Sequence, residues 1–215
     1  MKGLRMSKST QIYKKLENYM TNNNFTFDLN EQPTVQEFEE VIGEEAILVA
    51  QCEMNTPVNF PSSSSRLREY FDLEDEDYDG KKIDYKGLSP LWNDNNSEWL
   101  YFLAYNNHIV KIGMTITSLK ERYGSYSCGT SRAMKKGSCS TTNFIISECN
   151  TLAVSKGISV QIYGLPVEKE KKIEERFGVK KECVYSTVRD KETMLLEAFK
   201  ENYQQKPALC VQEGK

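Results

Sequence analysis

The 215-residue sequence has a single histidine, His108, and none of its six cysteines stands in a Cys-x-x-Cys pair. The ligand spacing of a zinc site is therefore missing. Apolar runs are short, and none approaches the roughly 18 residues needed to cross a membrane. The residues Met1–Lys8 carry positive charge with no apolar run behind it, so no secretory leader is read there. Without one, Cys52, Cys128, Cys139, Cys149, Cys183 and Cys210 read as reduced, partly buried thiols rather than a disulfide framework. A cytoplasmic protein with no membrane partner is expected.

Net charge is also small, −3, which argues weakly against a polyanionic partner. The average conceals an asymmetry. Residues 1–110 hold 10 Lys+Arg against 19 Asp+Glu, whereas residues 111–215 hold 18 against 12. The second half can present a basic face to phosphates while the chain as a whole stays acidic.

What is present is an ordinary globular composition, 39% hydrophobic and 27% charged, long enough for one sizeable domain or a domain with an appendage. Ile12, Tyr13, Leu16, Tyr19 and Met20 give residues 9–22 helical spacing. Thr34 with Glu37 three residues on forms a capping-box pattern, opening a helix with Val35, Phe38, Val41 and Ile42 on one face and Gly43 at its end. Residues 46–50 fit a short helix or a strand. Residues 55–97, with Pro57, Pro61, Ser62–Ser65, the acidic run Glu69–Asp79 and Pro90, read as a loop-rich connector.

Beyond the connector the pattern sharpens. The aromatic-rich Trp99–Tyr105 reads as a strand, Asn106-Asn107 as a two-residue turn, and His108–Ile112 as its partner strand. Thr115 or Thr117 then caps a helix carrying Leu119, Arg122 and Tyr123. A further helix is expected over 141–150, and a third strand where Ile158, Val160 and Ile162 alternate. Residues 189–203 form an amphipathic helix with Met194, Leu195, Ala198 and Phe199 on its apolar face and Asp190 and Glu192 in its first turns.

Several of these residues suit proton and phosphate chemistry. Tyrosine and lysine handle protons, arginine stabilises charge on a phosphate, and a glutamate oxygen binds a hard cation. Each also has an ordinary structural reading: a core aromatic, a solvated lysine, a carboxylate favoured by the helix dipole. Tight pairing about Asn106-Asn107 puts Tyr101 opposite Ile112 and leaves Lys111 one step off. A bulge or diagonal convergence is needed to bring Tyr101 and Lys111 to one site.

The ordered set Tyr101, Lys111-Ile112-Gly113-Met114-Thr115, Arg122 and Glu192-Thr193-Met194-Leu195-Leu196 resembles the signature of the GIY-YIG nucleases. Trp99-Leu100 replaces the family's Gly-Ile, and Lys111 replaces its second tyrosine, as in a subgroup of type II restriction enzymes. Gln204 stands near the place of the family's asparagine, with Asn202 slightly early. The resemblance covers about residues 97–210. It implies an α+β fold: a small three-stranded antiparallel sheet flanked by helices over 98–210, behind a mainly helical extension over 1–97 that serves DNA recognition or dimer contacts.

The resemblance further implies a sequence-specific double-stranded DNA endonuclease acting as a homodimer. Glu192 would hold one Mg2+ (or Mn2+) per active site, Arg122 would neutralise the phosphate, and Tyr101 with Lys111 would accept a proton from the attacking water. Arg132, Lys135, Lys136 and His108 are candidate DNA contacts. The alternatives are a structure-specific or homing-type nuclease of the same family, a non-catalytic nucleic-acid-binding protein on the same scaffold, and a protein-interaction domain.

Overall fold

A computed structural model describes residues 29–55, 82–127, 140–155 and 157–210. The expected helix over 9–22 and the acidic run lie outside the described residues. Helix α1 (Val35–Ile42) starts at the capping box read from sequence. The Thr34 N–H donates to Glu37 Oε2 at 2.7 Å, and the Glu37 N–H donates to Thr34 Oγ1 at 3.2 Å. Gly43 ends the helix in the left-handed region at φ 71°, where a residue without a Cβ fits best.

Strands β1 (Ile47–Asn55), β2 (Lys82–Gly87), β3 (Glu98–Tyr105), β4 (His108–Thr115) and β5 (Val160–Val167) form one antiparallel sheet in the order β2-β1-β5-β3-β4. This corrects the three-stranded expectation. The two extra strands come from the N-terminal half, which is therefore not mainly helical where it is described. β2 falls inside the stretch read as a loop-rich connector. Its six residues, Lys-Ile-Asp-Tyr-Lys-Gly, carry one alternating pair of apolar side chains, too short a signal to stand out. Pairing with β1 is what makes it a strand.

β3 runs between β5 and β4 and is buried along its whole length, which explains its nearly unbroken apolar run. Its alternating residues feed two cores. Trp99, Tyr101, Leu103 and Tyr105 face helices α2 (Leu119–Ser127) and α3 (Thr141–Ser155). Leu100, Phe102 and Ala104 face α1 and helix α4 (Val188–Tyr203). The architecture is thus helices, sheet, helices. Phe38 of α1 ties the second layer together, with its ring 5.6 Å from Phe102 and 5.3 Å from Phe199. In α4, Val188 and Phe199 are buried while Met194 is 65% exposed, so the apolar face is rotated away from Met194.

Strands β6 (Glu170–Arg176) and β7 (Val179–Tyr185) form a separate two-stranded ribbon. Among the described residues no helix is long and apolar enough to cross a membrane.

Candidate active site

The β3–β4 hairpin turns at Asn106 and Asn107, with φ of 45° and 71°. Both residues are left-handed, as the tight turns matched to strand twist require, and asparagine tolerates that region. From the turn, Ala104 pairs with Ile109, but Leu103 pairs with Lys111. Val110 is the extra residue of a β-bulge. The bulge advances the register by one, so Tyr101 lies opposite Gly113 rather than Ile112. Because side chains alternate with period two, Lys111 and Gly113 then share a face with Leu103 and Tyr101. Val110 joins the same face. The one-step mismatch between Tyr101 and Lys111 is removed by that single bulge.

Two glycines make room for the groups on this face. A Cβ on Gly113 would stand 2.5 Å from Tyr101 Cζ. A Cβ on Gly164, the β5 partner of Tyr101, would stand 2.9 Å from Leu119 Cδ1 and 3.1 Å from the Trp99 ring. Tyr101 therefore lies across a strand that only glycine can supply at that point.

α2 brings the next groups. Its first turn is capped by Ser118, whose Oγ accepts from the Glu121 N–H at 3.2 Å; Thr115 and Thr117 instead bond to each other. Arg122 Nε–H donates to the Tyr101 hydroxyl at 3.3 Å, and the Tyr126 hydroxyl meets the same oxygen at 2.5 Å. The Arg122 guanidinium also lies 4.7 Å from the centre of the Tyr126 ring, a cation–π contact across one helical turn. Burial works to lower the proton affinity of Arg122, but Tyr101, Tyr126 and Tyr123 outweigh it and raise it, so the cation is held firmly. Burial, then the neighbouring Tyr101, pushes the Tyr123 and Tyr126 phenols well above their usual range. Tyr123 packs edge-on against Tyr101 at 5.4 Å, and its buried hydroxyl has no hydrogen-bond partner among the described residues.

Glu192 approaches from α4. It is half-buried, and the backbone N–H of Met114 on β4, an edge strand, acts on its carboxyl. Desolvation raises its pKa above the ordinary carboxylate value, while Lys111, Arg122 and Arg189 and the Met114 N–H pull the other way. Tyr101 and Arg122 are thus hydrogen-bonded, and Lys111 and Arg122 both act electrostatically on the Glu192 carboxyl. The rest of the β4 edge is covered by the C-terminal segment: the Leu209 N–H donates to the Val110 carbonyl at 2.6 Å, and Cys210 Sγ–H to the Ile112 carbonyl at 3.3 Å.

Comparison with known proteins gives a fold-level likeness. No protein-family model matches the chain, and no curated protein sequence matches it significantly. Solved structures similar to it include two nucleases. Restriction endonuclease HPY188I in complex with product DNA is 24% identical, with 86% of this chain and 90% of that chain covered and a TM-score of 0.49. A mutant of EndoII from bacteriophage T4 is 16% identical, with 78% and 96% covered and the same TM-score of 0.49.

The remaining candidates fall elsewhere. His108 sits at the turn end of β4 and donates through Nδ1 to the Gln32 carbonyl at 2.7 Å, fastening the hairpin to the segment before α1. It does not reach the cluster. Arg132, Lys135 and Lys136 lie outside the described residues. Asn202 is spent within α4, donating to the Ala198 carbonyl at 2.8 Å. Sequence reading missed Tyr126 and Arg189. The four-residue spacing of Arg122 and Tyr126 on a helix was a usable signal for the first. For Arg189, three residues before Glu192, the one-turn spacing was equally visible.

Proposed function

We propose that the chain is a sequence-specific double-stranded DNA endonuclease of the GIY-YIG type, akin to type II restriction enzymes. One observation carries the reading. Tyr101, Lys111, Arg122 and Glu192 come from four separate elements, yet Arg122 hydrogen-bonds to Tyr101, and Lys111 and Arg122 both act electrostatically on the Glu192 carboxyl. Such a cluster combines a proton acceptor, two cations for a phosphate and one oxygen ligand.

The donor set suits one Mg2+ or Mn2+ per site. Among the described residues no three His, Cys, Asp or Glu side chains come together, which disfavours a zinc cage. A hard cation held by a single carboxylate, waters and substrate oxygens needs no more than Glu192. When bound, the cation supplies Lewis-acid polarisation of the phosphate and its leaving oxygen. Arg122 neutralises charge on the phosphate. Tyr101, with Lys111 beside it, takes the proton of the attacking water. The bulge at Val110 and the glycine at 113 hold Tyr101 and Lys111 on one face for that task.

Residues 98–210 contain all four site residues. Residues 1–97 are assigned target recognition or dimer contacts, in addition to the strands they lend to the sheet. Cutting both strands of a duplex takes two such sites, so a two-fold homodimer belongs to the proposal. Incubation of the full chain with plasmid DNA and Mg2+, followed by sequencing of the ends, tests it. Discrete fragments sharing an end sequence are expected. Cuts confined to branched DNA would instead mark a structure-specific nuclease.

One feature favours a second reading. The Tyr101 side chain is fully buried beneath Arg122 and Tyr126. Catalysis requires Arg122 to swing toward a phosphate and uncover that hydroxyl. A non-catalytic nucleic-acid-binding protein requires no such movement, and duplex binding without cutting under any divalent cation would establish it.

A further inference from the structure

The β6–β7 ribbon is a second candidate surface, its strands not paired with any strand of the five-stranded sheet. Both of its faces are open to solvent: Ile173, Val179 and Val184 are 76%, 64% and 56% exposed, and Phe177 at the tip is fully exposed at 103%. Residues 169–185 hold six Lys+Arg against four Asp+Glu. Lys171, Lys172, Arg176 and Lys180 sit in exposed ion pairs with Glu182, Glu170, Glu174 and Glu175. Pairs of that kind contribute little and exchange readily for another anion.

The tip is the unusual part. Phe177 and Gly178 have φ of 55° and 75°, both left-handed. The same two-residue turn in the β3–β4 hairpin uses two asparagines, which tolerate that region. A bulky side chain there is disfavoured. The ribbon thus holds Phe177 at its most protruding point, in a conformation that a phenylalanine does not choose by itself.

The root is fixed where it matters. The Ser186 hydroxyl donates to Glu98 Oε2 at 2.7 Å, and Lys169 Nζ lies 4.0 Å from Glu98 Oε1, on a glutamate buried at the start of β3. Tyr101 follows three residues later on β3, and α4, with Glu192, begins two residues after Ser186. The arm is therefore held at both ends of its root to elements that carry the candidate active site.

We propose that the β6–β7 ribbon is a DNA-binding arm that enters a groove of the duplex, with Lys180 and Lys181 on phosphates and Phe177 against the bases. It rests on the nuclease reading and specifies a surface that reading leaves open. Seven residues per strand give an arm roughly 23 Å long and about 10 Å wide, and a two-stranded ribbon of that width fits the roughly 12 Å major groove. The excess of basic residues complements a polyanion. A second copy of the chain is a poorer occupant. One ribbon face offers on the order of 230 Å2, against the roughly 800 Å2 per partner of a stable interface, and its apolar side chains are scattered among charges.

The test uses the full chain in EDTA with a fluorescent duplex of mixed sequence, reading Kd across a salt series. Lys180→Ala with Lys181→Ala is expected to weaken binding roughly tenfold and to make the slope of log K against log salt shallower by about 1.8. Phe177→Asn keeps a turn-compatible residue; it is expected to leave Tm unchanged or higher and to weaken binding roughly fivefold with the slope unchanged. Lys86→Ala on β2, at the opposite edge of the sheet, controls for simple loss of charge. Wild-type affinity and slope in the ribbon variants, in a chain that binds duplex, would overturn the arm and leave the nuclease reading standing. No duplex binding by the wild type would remove both. A ribbon variant that turns a dimer into a monomer by sedimentation would make the ribbon a protein contact and overturn the proposal.

Discussion

At the scale of single residues, the cluster makes separable demands on its members. Glu192 is the proposed metal ligand, so Glu192→Gln should abolish cutting and leave duplex affinity within a few-fold of wild type, read by cleavage and anisotropy side by side. Persistent cutting would refute the ligand assignment. The same variant bears on stability. Burial raises the folded-state pKa of Glu192, so the folded chain holds this proton to higher pH than the unfolded chain does. Its contribution to stability therefore falls as pH rises through the window above 4.5. Glu192→Gln, which has no charge to desolvate, should gain in Tm relative to wild type between pH 4.5 and 7 in metal-free buffer. Added Mg2+ should raise the wild-type Tm and not that of the variant. Tyr101→Phe removes only a hydroxyl, and a fall in cleavage rate of about 10²-fold or more is expected from loss of the proton acceptor. An unchanged rate would place the base elsewhere. A methyl at Gly113 would collide with the Tyr101 ring, so Gly113→Ala should cost about 1–3 kcal/mol, measurable by denaturant titration.

At the scale of elements, local chemistry and long-range pairing separate cleanly. The capping box at Thr34 and Glu37 acts within four residues, and the sequence shows it whole. Thr34→Ala should cost about 1 kcal/mol in thermal or chemical unfolding, and a silent substitution would mean that the helix is held by Phe38 alone. The Thr34 backbone and side chain hold the Glu37 carboxyl below its ordinary range, so the contribution of the box is present above pH 4.5 and fades as the pH falls further. The Asn106-Asn107 turn was legible for the same reason. A bulge was one of two ways the sequence left to bring Tyr101 and Lys111 together, but its place at Val110 was not legible, because no residue type demands it. It follows from what the hairpin must satisfy at once: Tyr101 across from glycine, Ile112 in the opposite core, and the Leu209 N–H on the Val110 carbonyl. β1 was legible only as a short helix or a strand over residues 46–50, and β2 not at all. Their pairing partners are tens of residues away, and a strand of six residues has little period to display.

At the scale of the whole molecule, the sheet is what turns four scattered residues into a cluster. β3 and β4 supply Tyr101 and Lys111, α2 lies across one face to supply Arg122, and α4, packed on the other face, brings Glu192 within electrostatic reach of Lys111 and Arg122. A free edge strand invites pairing with another chain. Here the segment ending at Cys210 bonds along that edge. Removal of residues 208–215 should expose β4, lose the burial of Leu209, worth about 2 kcal/mol, and speed hydrogen exchange at Ile112, whose N–H donates to Cys210 Sγ at 3.5 Å. Unchanged exchange would show that the segment does not close the edge.

The sequence by itself determined the chemistry available: which residues can move a proton, neutralise a phosphate or hold a hard cation, and the caps and turns that begin and end their elements. Those properties belong to side chains and to spacings of four residues or fewer. The tertiary structure decided the rest. It placed five strands in one sheet, set the register that puts Lys111 on the same face as Tyr101, brought Tyr126 onto the Tyr101 hydroxyl and left the β6–β7 ribbon outside that sheet. Each of these depends on backbone partners distant in sequence, and pairing between distant segments leaves no local pattern to read.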